Sequence, residues 1–262
     1  MNAPIETNVP TETRAGAPVL VADGLAKSFD GLQAVRAVSF SVGAGEMVAM
    51  IGPNGAGKTT CFNLINGQLG ADRGRVTLLG KRIDGLPPRA IARAGVGRTF
   101  QVVAAFASMT VRENVQLTLL AHAGEEGSVT RRADERHVAE AEALLQRVGL
   151  AELADQGCAT LAYGDAKRIE LALALANAPK LLLMDEPTAG MPMADRGRLM
   201  RLIVELARRD HIAVLFTEHD MDVVFGHADR VLVLDRGRII AEGPPEAIRA
   251  DPQVRAVYLG TE

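Results

Sequence analysis

The sequence has few residues suited to cross-linking and no excess of charge. It contains two cysteines, Cys61 and Cys158, no tryptophan, and a formal net charge of −3. Because the two cysteines lie far apart and form no C-x-x-C pair, we expect neither a disulfide nor a metal role for them. Positive and negative residues alternate rather than cluster, so the chain offers no basic surface for nucleic acid.

Long apolar runs are also missing. No stretch reaches the roughly 18–20 residues that span a bilayer, and the richest run, 171–184, is interrupted by Asn177, Pro179 and Lys180. Residues 1–18 lack the apolar centre of a signal peptide and are rich in Pro, Thr and Ala. We therefore expect a flexible tail over 1–18 and a soluble, cytosolic protein that reaches a membrane only through a partner.

What is present is an alternation of short apolar strands with helices. This alternation predicts an α/β fold whose parallel sheet is covered on both faces, interrupted by a more helical segment from about 88 to 157. Strands are predicted at 19–22, 37–42, 47–51, 75–79, 180–184 and 212–216, with a hairpin of 230–234 and 238–242. Helices are predicted at 59–69, 110–122, 133–148, 165–178, 194–209, 221–227 and from 245 onward.

A glycine-rich motif follows the apolar strand 47–51. Residues 52–59 read Gly-Pro-Asn-Gly-Ala-Gly-Lys-Thr, an instance of G-x-x-x-x-G-K-[ST]. Such a loop points backbone N–H groups and a helix N-terminus at one anion, and its glycines let a phosphate approach the backbone. The lysine reaches the β- and γ-phosphates, and the threonine hydroxyl ligates Mg²⁺. The motif predicts a nucleoside triphosphate site built from Gly52, Pro53, Asn54, Gly55, Ala56, Gly57, Lys58, Thr59 and Thr60.

A second motif places two carboxylates at the end of an apolar strand. Residues 181–186 read Leu-Leu-Leu-Met-Asp-Glu. A strand buried on both faces opens at its carboxyl end onto the ligand edge of a parallel sheet. We expect Asp185 to hold Mg²⁺ beside Thr59, directly or through water. We expect Glu186 to orient the attacking water while Lys58 neutralises charge on the transferred phosphoryl group.

Between these motifs, residues 160–170 read Thr-Leu-Ala-Tyr-Gly-Asp-Ala-Lys-Arg-Ile-Glu. With this segment the chain resembles the ATP-binding subunits of ABC transporters over nearly its whole length after the tail. The resemblance implies a P-loop NTPase core with a parallel sheet, an N-terminal antiparallel β-subdomain and a helical subdomain, 88–178, inserted within one domain, 19–262. Residues 161–165 occupy the place of the family signature, so Tyr163 and Gly164 are expected at the γ-phosphate of the opposite protomer.

The resemblance also implies roles for three residues outside these motifs. Gln101, in Gly-Arg-Thr-Phe-Gln, matches the Q-loop that links the metal site to the helical subdomain. His219, in Phe-Thr-Glu-His-Asp, matches the switch histidine at the γ-phosphate, and Phe29 matches the aromatic that stacks on adenine. A structural histidine and a core phenylalanine are the alternatives. The candidate catalytic residues are Lys58, Gln101, Glu186 and His219, and the candidate Mg²⁺ ligands are Thr59, Gln101 and Asp185.

Three segments, at 95–101, 218–221 and 254–260, are similar to the branched-chain (hydrophobic) amino acid uptake ATPases, although importers of amides, urea or aromatic acids share them. The similarity implies a peripheral ATPase that binds ATP and Mg²⁺ at the cytoplasmic face of the inner membrane. Its implied partners are transmembrane permease subunits, which it contacts near 101–110, and a second ATPase subunit, which is either identical or different. An extracytoplasmic solute-binding protein is an indirect partner. The alternatives are a soluble ABC-type ATPase, a GTPase-like switch and a regulatory nucleotide switch uncoupled from transport.

Two positions depart from the family pattern. Asp165 stands where the signature usually has Gln, and we expect it to cap its own helix through backbone N–H groups. Pro192 and Met193 stand where the family usually has Asp or Asn followed by Pro, in a loop that crosses the dimer interface. This second departure predicts weaker coupling between the two ATP sites. Neither departure removes a catalytic candidate, so we expect hydrolysis to survive.

Overall fold

The structure, a computed structural model, describes residues 16–99, 105–125 and 136–259. Gln101 and residues 1–15 of the predicted tail lie outside these ranges. The described strands are β1 (Leu20–Phe29), β2 (Leu32–Val42), β3 (Met47–Ile51), β4 (Arg73–Leu78), β5 (Lys81–Arg82), β6 (Val96–Thr99), β7 (Leu181–Asp185), β8 (Ala213–Thr217), β9 (Arg230–Asp235) and β10 (Arg238–Gly243). The α-helices are α1 (Lys58–Ile65), α2 (Pro88–Arg93), α3 (Val111–Ala123), α4 (Val138–Val148), α5 (Tyr163–Leu175), α6 (Met193–Arg209), α7 (Met221–His227), α8 (Pro245–Ala250) and α9 (Pro252–Val254).

The larger sheet has six strands in the order β10-β9-β3-β8-β7-β6. All its neighbours pair in parallel except the hairpin of β9 and β10. Every residue of β3, β7 and β8 is buried, as expected for strands with helices on both faces. The carboxyl ends of these three strands therefore share one edge of the sheet, and the predicted site residues follow them directly.

The smaller, antiparallel sheet has the order β2-β1-β4-β5 and confirms the predicted N-terminal β-subdomain. Its hairpin of β1 and β2 is much longer than the predicted strands 19–22 and 37–42. The turn consists of Asp30 and Gly31, with φ angles of 47° and 85°, as a two-residue hairpin turn of type I′ requires. This turn pairs Phe29 with Leu32 at the hairpin tip. The outer half of the hairpin contains polar residues, so no apolar run in the sequence indicates these parts of the two strands.

The helices between β6 and β7 share one hydrophobic core with the larger sheet. Val115 of α3, Leu145 of α4 and Ile169 of α5 are fully buried in the same cluster as residues of β7 and β8. The predicted insertion 88–178 stays a prediction, and within it lies β6, which pairs with β7 at the edge of the core sheet. Four residues, two of them Gly and Arg, are too few to reveal a strand by periodicity. No helix in the described ranges has the length and apolar character needed to cross a membrane.

Candidate active site

The glycine-rich loop connects β3 to α1, and two of its glycines are required by packing. A Cβ atom on Gly52 would lie 2.2 Å from the Leu234 carbonyl oxygen, and one on Gly57 would lie 2.5 Å from the Ala34 carbonyl oxygen. Gly55 has no atom within 4 Å of its Cβ position. Gly52 and Gly57 therefore have a packing role as well, because the absence of a side chain lets the loop contact β9 and β2. The predicted role of the three glycines in phosphate approach stays a prediction.

Helix α1 begins at Lys58, and no acidic side chain in its first turn balances the positive end of the helix dipole. Among the described residues its first turn has neither a side-chain cap nor an acidic residue. The Lys58 ammonium is buried and donates hydrogen bonds to the carbonyl oxygens of Gly52 at 2.6 Å and Pro53 at 3.2 Å. Burial lowers the pKa of Lys58, and the carboxylates of Glu186 and Asp185 partly oppose that shift. The loop thus combines a helix N-terminus with a buried cation, which is the electrostatic environment of an anion site.

Asp185 ends β7 as a buried carboxylate. One of its oxygens accepts a hydrogen bond from the Thr217 hydroxyl at 2.7 Å, and the other lies 3.8 Å from the guanidinium of Arg98. Arg98 also donates to Asn63 of α1 at 2.8 Å and to Gln68 at 3.0 Å. Burial lowers the pKa of Arg98, and Asp185 opposes the shift. Arg98 was not among the predicted site residues, although Arg98 lies within the Gly-Arg-Thr-Phe-Gln motif.

Glu186 and His219, which come from separate motifs, are in contact. A Glu186 carboxylate oxygen lies 2.9 Å from His219 Nε2, and the imidazole is 46% exposed at the sheet edge. Glu186 has a φ angle of 51°, a conformation that non-glycine residues rarely adopt. Its backbone N–H donates to the carbonyl oxygen and the hydroxyl of Thr217, both at 3.1 Å. The pair therefore places a carboxylate and an imidazole at an open edge beside Lys58 and Asp185.

Glu218 is buried in this region and was not among the predicted site residues. One carboxylate oxygen accepts hydrogen bonds from the backbone N–H of Thr188 at 2.8 Å and from its hydroxyl at 2.6 Å. The other oxygen accepts from the His219 N–H at 3.2 Å. Glu218 thus connects the chain just after Glu186 to the chain at His219. Its only sequence signal is an acidic residue directly after the apolar strand β8.

Gly164 lies in the first turn of α5, as the sequence predicts for a phosphate-facing segment. The predicted cap by Asp165 is wrong. The helix begins at Tyr163 with Ala162 as its N-cap, so Asp165 occupies the third helical position, where its carboxylate lies 3.6 Å from Arg168. An acid in this position still interacts favourably with the helix dipole. The Tyr163 hydroxyl donates to the Ala189 carbonyl at 2.8 Å, so Tyr163 has a partner within its own chain.

The candidate Phe29 lies further from these contacts. Phe29 is partly exposed at the tip of the β1–β2 hairpin, with the Lys27 ammonium 5.7 Å from its ring centre. The same hairpin contacts the glycine-rich loop where Ala34 meets Gly57. Gln101 lies outside the described residues, so its role stays a prediction.

The donor atoms present fit Mg²⁺ better than a transition metal. The Thr59 hydroxyl is exposed in the first turn of α1, and Asp185 supplies a carboxylate oxygen. In the described ranges, no group of three or more His, Cys, Asp or Glu side chains could hold a metal ion. Mg²⁺ is typically bound by one or two protein oxygens, with water and substrate phosphates completing its coordination.

Comparisons with known proteins agree along most of the chain. A family model described as ABC transporter matches residues 35–189, and one described as branched-chain amino acid ATP-binding cassette transporter matches residues 238–262. The high-affinity branched-chain amino acid transport ATP-binding protein LivG of Salmonella typhimurium is 41% identical over 93% of this chain and 98% of its own length. BraF of Pseudomonas aeruginosa, which has the same description, is 40% identical over the same shares. The crystal structure of the ADP conformation of an ATP-binding cassette of an ABC transporter matches 94% of this chain and all of its own, with 32% identity and a TM-score of 0.83.

Proposed function

The chain belongs to the ABC transporter ATP-binding family, and we propose that it is the ATP-hydrolysing subunit of an importer for branched-chain or related amino acids. The observation that carries the hydrolytic part is the Glu186–His219 contact of 2.9 Å at the edge of the sheet that also holds Lys58 and Asp185. The amino acid cargo follows from the names of LivG and BraF. The comparisons give no support to a nucleotide switch outside transport.

The glycine-rich loop binds the triphosphate of ATP. Backbone N–H groups of 54–60 point at the phosphates, and the Lys58 ammonium exchanges its bonds to the Gly52 and Pro53 carbonyls for phosphate oxygens. This exchange is favourable because a buried cation gains a charged partner in place of neutral carbonyls. Phe29, at the hairpin beside this loop, stacks on the adenine ring.

Thr59, Asp185 and Gln101 hold Mg²⁺. The ion, when bound, neutralises charge that develops on the transferred phosphoryl group. The hydrogen bond from the Thr217 hydroxyl to one Asp185 oxygen holds the carboxylate in place at the end of β7.

Glu186 accepts a hydrogen bond from the attacking water and orients it in line with the γ-phosphate. His219 holds the Glu186 carboxylate through Nε2 and contacts the γ-phosphate. Most of the catalysis comes from such positioning and from charge stabilisation. Tyr163 and Gly164 complete the site from the opposite subunit, so that ATP joins two ATPase subunits.

The transmembrane permease subunits dock at 101–110 and the adjacent cleft. In the described part of this segment, Phe106 is 56% exposed, although the Asn114 side chain binds both its N–H, at 2.7 Å, and its carbonyl, at 3.1 Å. An aromatic side chain that is exposed on a fixed backbone is typical of an interface anchor. A cavity of about 310 Å³ opens nearby between α2, β6, α3 and α5.

This docking makes the chain a peripheral subunit at the cytoplasmic face of the inner membrane. It works beside a second ATPase subunit, and the extracytoplasmic solute-binding protein acts on it only through the permease. The proposed organisation is an ATPase domain over 19–262, in which the helices of 88–178 form the inserted helical subdomain.

The hydrolytic part is tested with Glu186→Gln, which keeps the shape of the side chain and removes its charge. We expect turnover to fall by about 10²-fold or more, with ATP binding retained, because the glutamine amide cannot polarise the water. Glu152→Gln, at an exposed position in the chain before α5, is the control and should leave turnover unchanged. Wild-type turnover in Glu186→Gln would contradict the proposal.

The cargo is tested by uptake of radiolabelled leucine in a strain that lacks the gene. Wild-type protein supplied from a plasmid should restore uptake, and Glu186→Gln should not. Excess unlabelled isoleucine or valine should compete, whereas glutamate should not. Equal leucine uptake with and without the gene would contradict the amino acid part and leave the ATPase part standing.

A further inference from the structure

The segment between Glu186 and α6, residues 187–192, is bound by groups of α5, of α6 and of the chain just before His219. We refer to it as the 187–192 loop. It follows a residue in a strained backbone conformation, since Glu186 has a φ angle of 51°. Such a conformation persists only where surrounding contacts hold it. We therefore expect residues that contact the loop to hold Glu186 in this conformation.

The first contact joins the loop to α5. The Tyr163 hydroxyl donates to the Ala189 carbonyl at 2.8 Å. Gly190, the next residue, has a φ angle of 78°, and a Cβ atom there would lie 2.9 Å from the same hydroxyl oxygen. The loop thus leaves space for the tyrosine. Tyr163 directly precedes Gly164, the residue proposed to face the nucleotide of the opposite subunit.

The second contact joins the loop to the His219 segment. Arg196, in the first turn of α6, donates from Nε to the Met191 carbonyl at 2.9 Å and from Nη1 to the Asp220 carboxylate. The other Asp220 oxygen caps α7 by accepting from the N–H of Asp222 at 3.0 Å. Burial raises the pKa of Asp220, but the hydrogen bonds from Arg196 and from the α7 backbone outweigh it and leave the pKa below its ordinary value. The carboxylate that Arg196 holds is therefore charged at neutral pH.

We propose that Tyr163 and Arg196 are positioning residues that tie the 187–192 loop to α5 and to the His219 segment, and thereby hold Glu186 against His219 for hydrolysis. The inference rests on the proposed ATPase function. It also explains how the loop stays placed although Pro192 and Met193 supply no polar side chain where the family usually has Asp or Asn. Because Tyr163 neighbours Gly164, the loop also links the segment facing one nucleotide to the Glu186 that acts on the other.

The test compares four variants of the full-length chain in steady-state ATP hydrolysis. Arg196→Gln removes the guanidinium, and Asp220→Asn removes its charged partner while keeping an N-cap residue. Each should lower kcat about tenfold and leave the KM for ATP within about twofold, since misplaced catalytic groups lose rate rather than substrate binding. The double variant should be no slower than either single variant, because both changes break the same contact. Arg198→Gln is the control, since Arg198 also lies on α6 and, within the described residues, its ion pair is with Asp195 at the surface.

Tyr163→Phe tests the contact with α5 by removing only the hydroxyl. It should lower kcat about threefold or more. Combined with Glu186→Gln, it should leave the ATP-dependent dimer unchanged, because the ring and Gly164 remain. Thermal melting of every variant separates misplacement from loss of folding, and the melting temperatures of Arg196→Gln and Arg198→Gln should agree within a few degrees.

Unchanged kcat in Arg196→Gln, or rate losses that multiply in the double variant, would overturn the role of Arg196. Unchanged kcat in Tyr163→Phe would overturn the role of Tyr163. The wild type and Glu186→Gln are measured in the same series. If the wild type hydrolyses ATP and Glu186→Gln does not, the proposed function stands whatever the other variants do, and absence of wild-type hydrolysis would count against the function itself.

Discussion

Lys58 is the residue whose environment most clearly requires a ligand. Its ammonium is buried, its pKa is lowered by that burial, and its hydrogen-bond partners are the carbonyls of Gly52 and Pro53. A buried charge without a charged hydrogen-bond partner is unfavourable, and the phosphates of ATP supply one. Binding of ATP should therefore move the pKa of Lys58 back toward its ordinary value.

Removal of this cation should weaken nucleotide binding. We expect Lys58→Ala to reduce ATP affinity by about 10²-fold, because a charge-assisted hydrogen bond to phosphate contributes about 1.5–3 kcal/mol and the loop loses its only buried ammonium. Lys81→Ala, on the exposed strand β5, should bind ATP as the wild type does. Isothermal titration calorimetry measures both variants, and equal affinities would contradict the phosphate role of Lys58.

Cys61 provides a second prediction for a single side chain. It is fully buried on α1, and burial raises the pKa of its thiol to about 12. At pH 8 the thiolate fraction is then about 10⁻⁴, so the thiol should not react with a disulfide reagent in the native protein. Cys158 is less buried and should react slowly. Two thiols should appear in denaturant, and rapid reaction of both in native protein would contradict the burial of Cys61.

The sequence was sufficient to single out Lys58, Asp185, Glu186 and His219 as candidates, because each belongs to a motif or follows an apolar strand. It was not sufficient for Glu218, which acts through contacts between distant segments. The same holds for Arg98 and Arg196. A single polar residue gives no local sign of its partner, and only the folded chain brings the two together.

The glycine-rich loop behaves as one element whose shape is fixed by its neighbours. Gly52 lies against the backbone of β9, and Gly57 lies against the backbone of β2. A side chain at either position meets a carbonyl oxygen that cannot move without moving a strand. The loop is therefore held in shape before any ligand arrives, which lowers the entropic cost of binding.

This difference between the glycines can be measured. Gly52→Ala should lower the free energy of unfolding by about 3 kcal/mol or more, because its Cβ would overlap the Leu234 carbonyl and its φ angle disfavours alanine. Gly55→Ala also places alanine at a positive φ angle, 78°, but its Cβ faces open space, and it should cost only about 1 kcal/mol. Urea denaturation gives both values. Equal losses would show that the backbone conformation, not the contact, requires glycine at 52.

Elements were predictable where their apolar pattern was long. The buried strands β3, β7 and β8 read directly from the sequence, whereas β6 has four residues and β1 alternates with polar residues. The Asp-Gly turn at 30–31 would have extended the first hairpin, since this dipeptide favours a type I′ turn. Asp165 was misplaced as a cap because α5 begins two residues earlier than its apolar pattern indicates.

At the level of the whole chain, the proposed site is incomplete in one copy. The glycine-rich loop with Lys58 lies at the same sheet edge as Asp185, Glu186 and His219. In the described structure, however, the N-terminus of α5 contacts the 187–192 loop. Tyr163 binds Ala189, and a Cβ on Gly164 would contact only Met191. ATP bound between two ATPase subunits would join the Lys58 loop of one to Gly164 of the other.

Size-exclusion chromatography of Glu186→Gln, with and without ATP and Mg²⁺, tests this central claim most directly. The variant binds ATP but should not consume it, so the closed state accumulates. We expect a monomer without nucleotide and a dimer with ATP, formed either by two copies or with the second ATPase subunit. Addition of Lys58→Ala to the same chain should abolish the shift. A chain that binds ATP yet stays monomeric, alone and mixed with the second ATPase, would contradict the shared site.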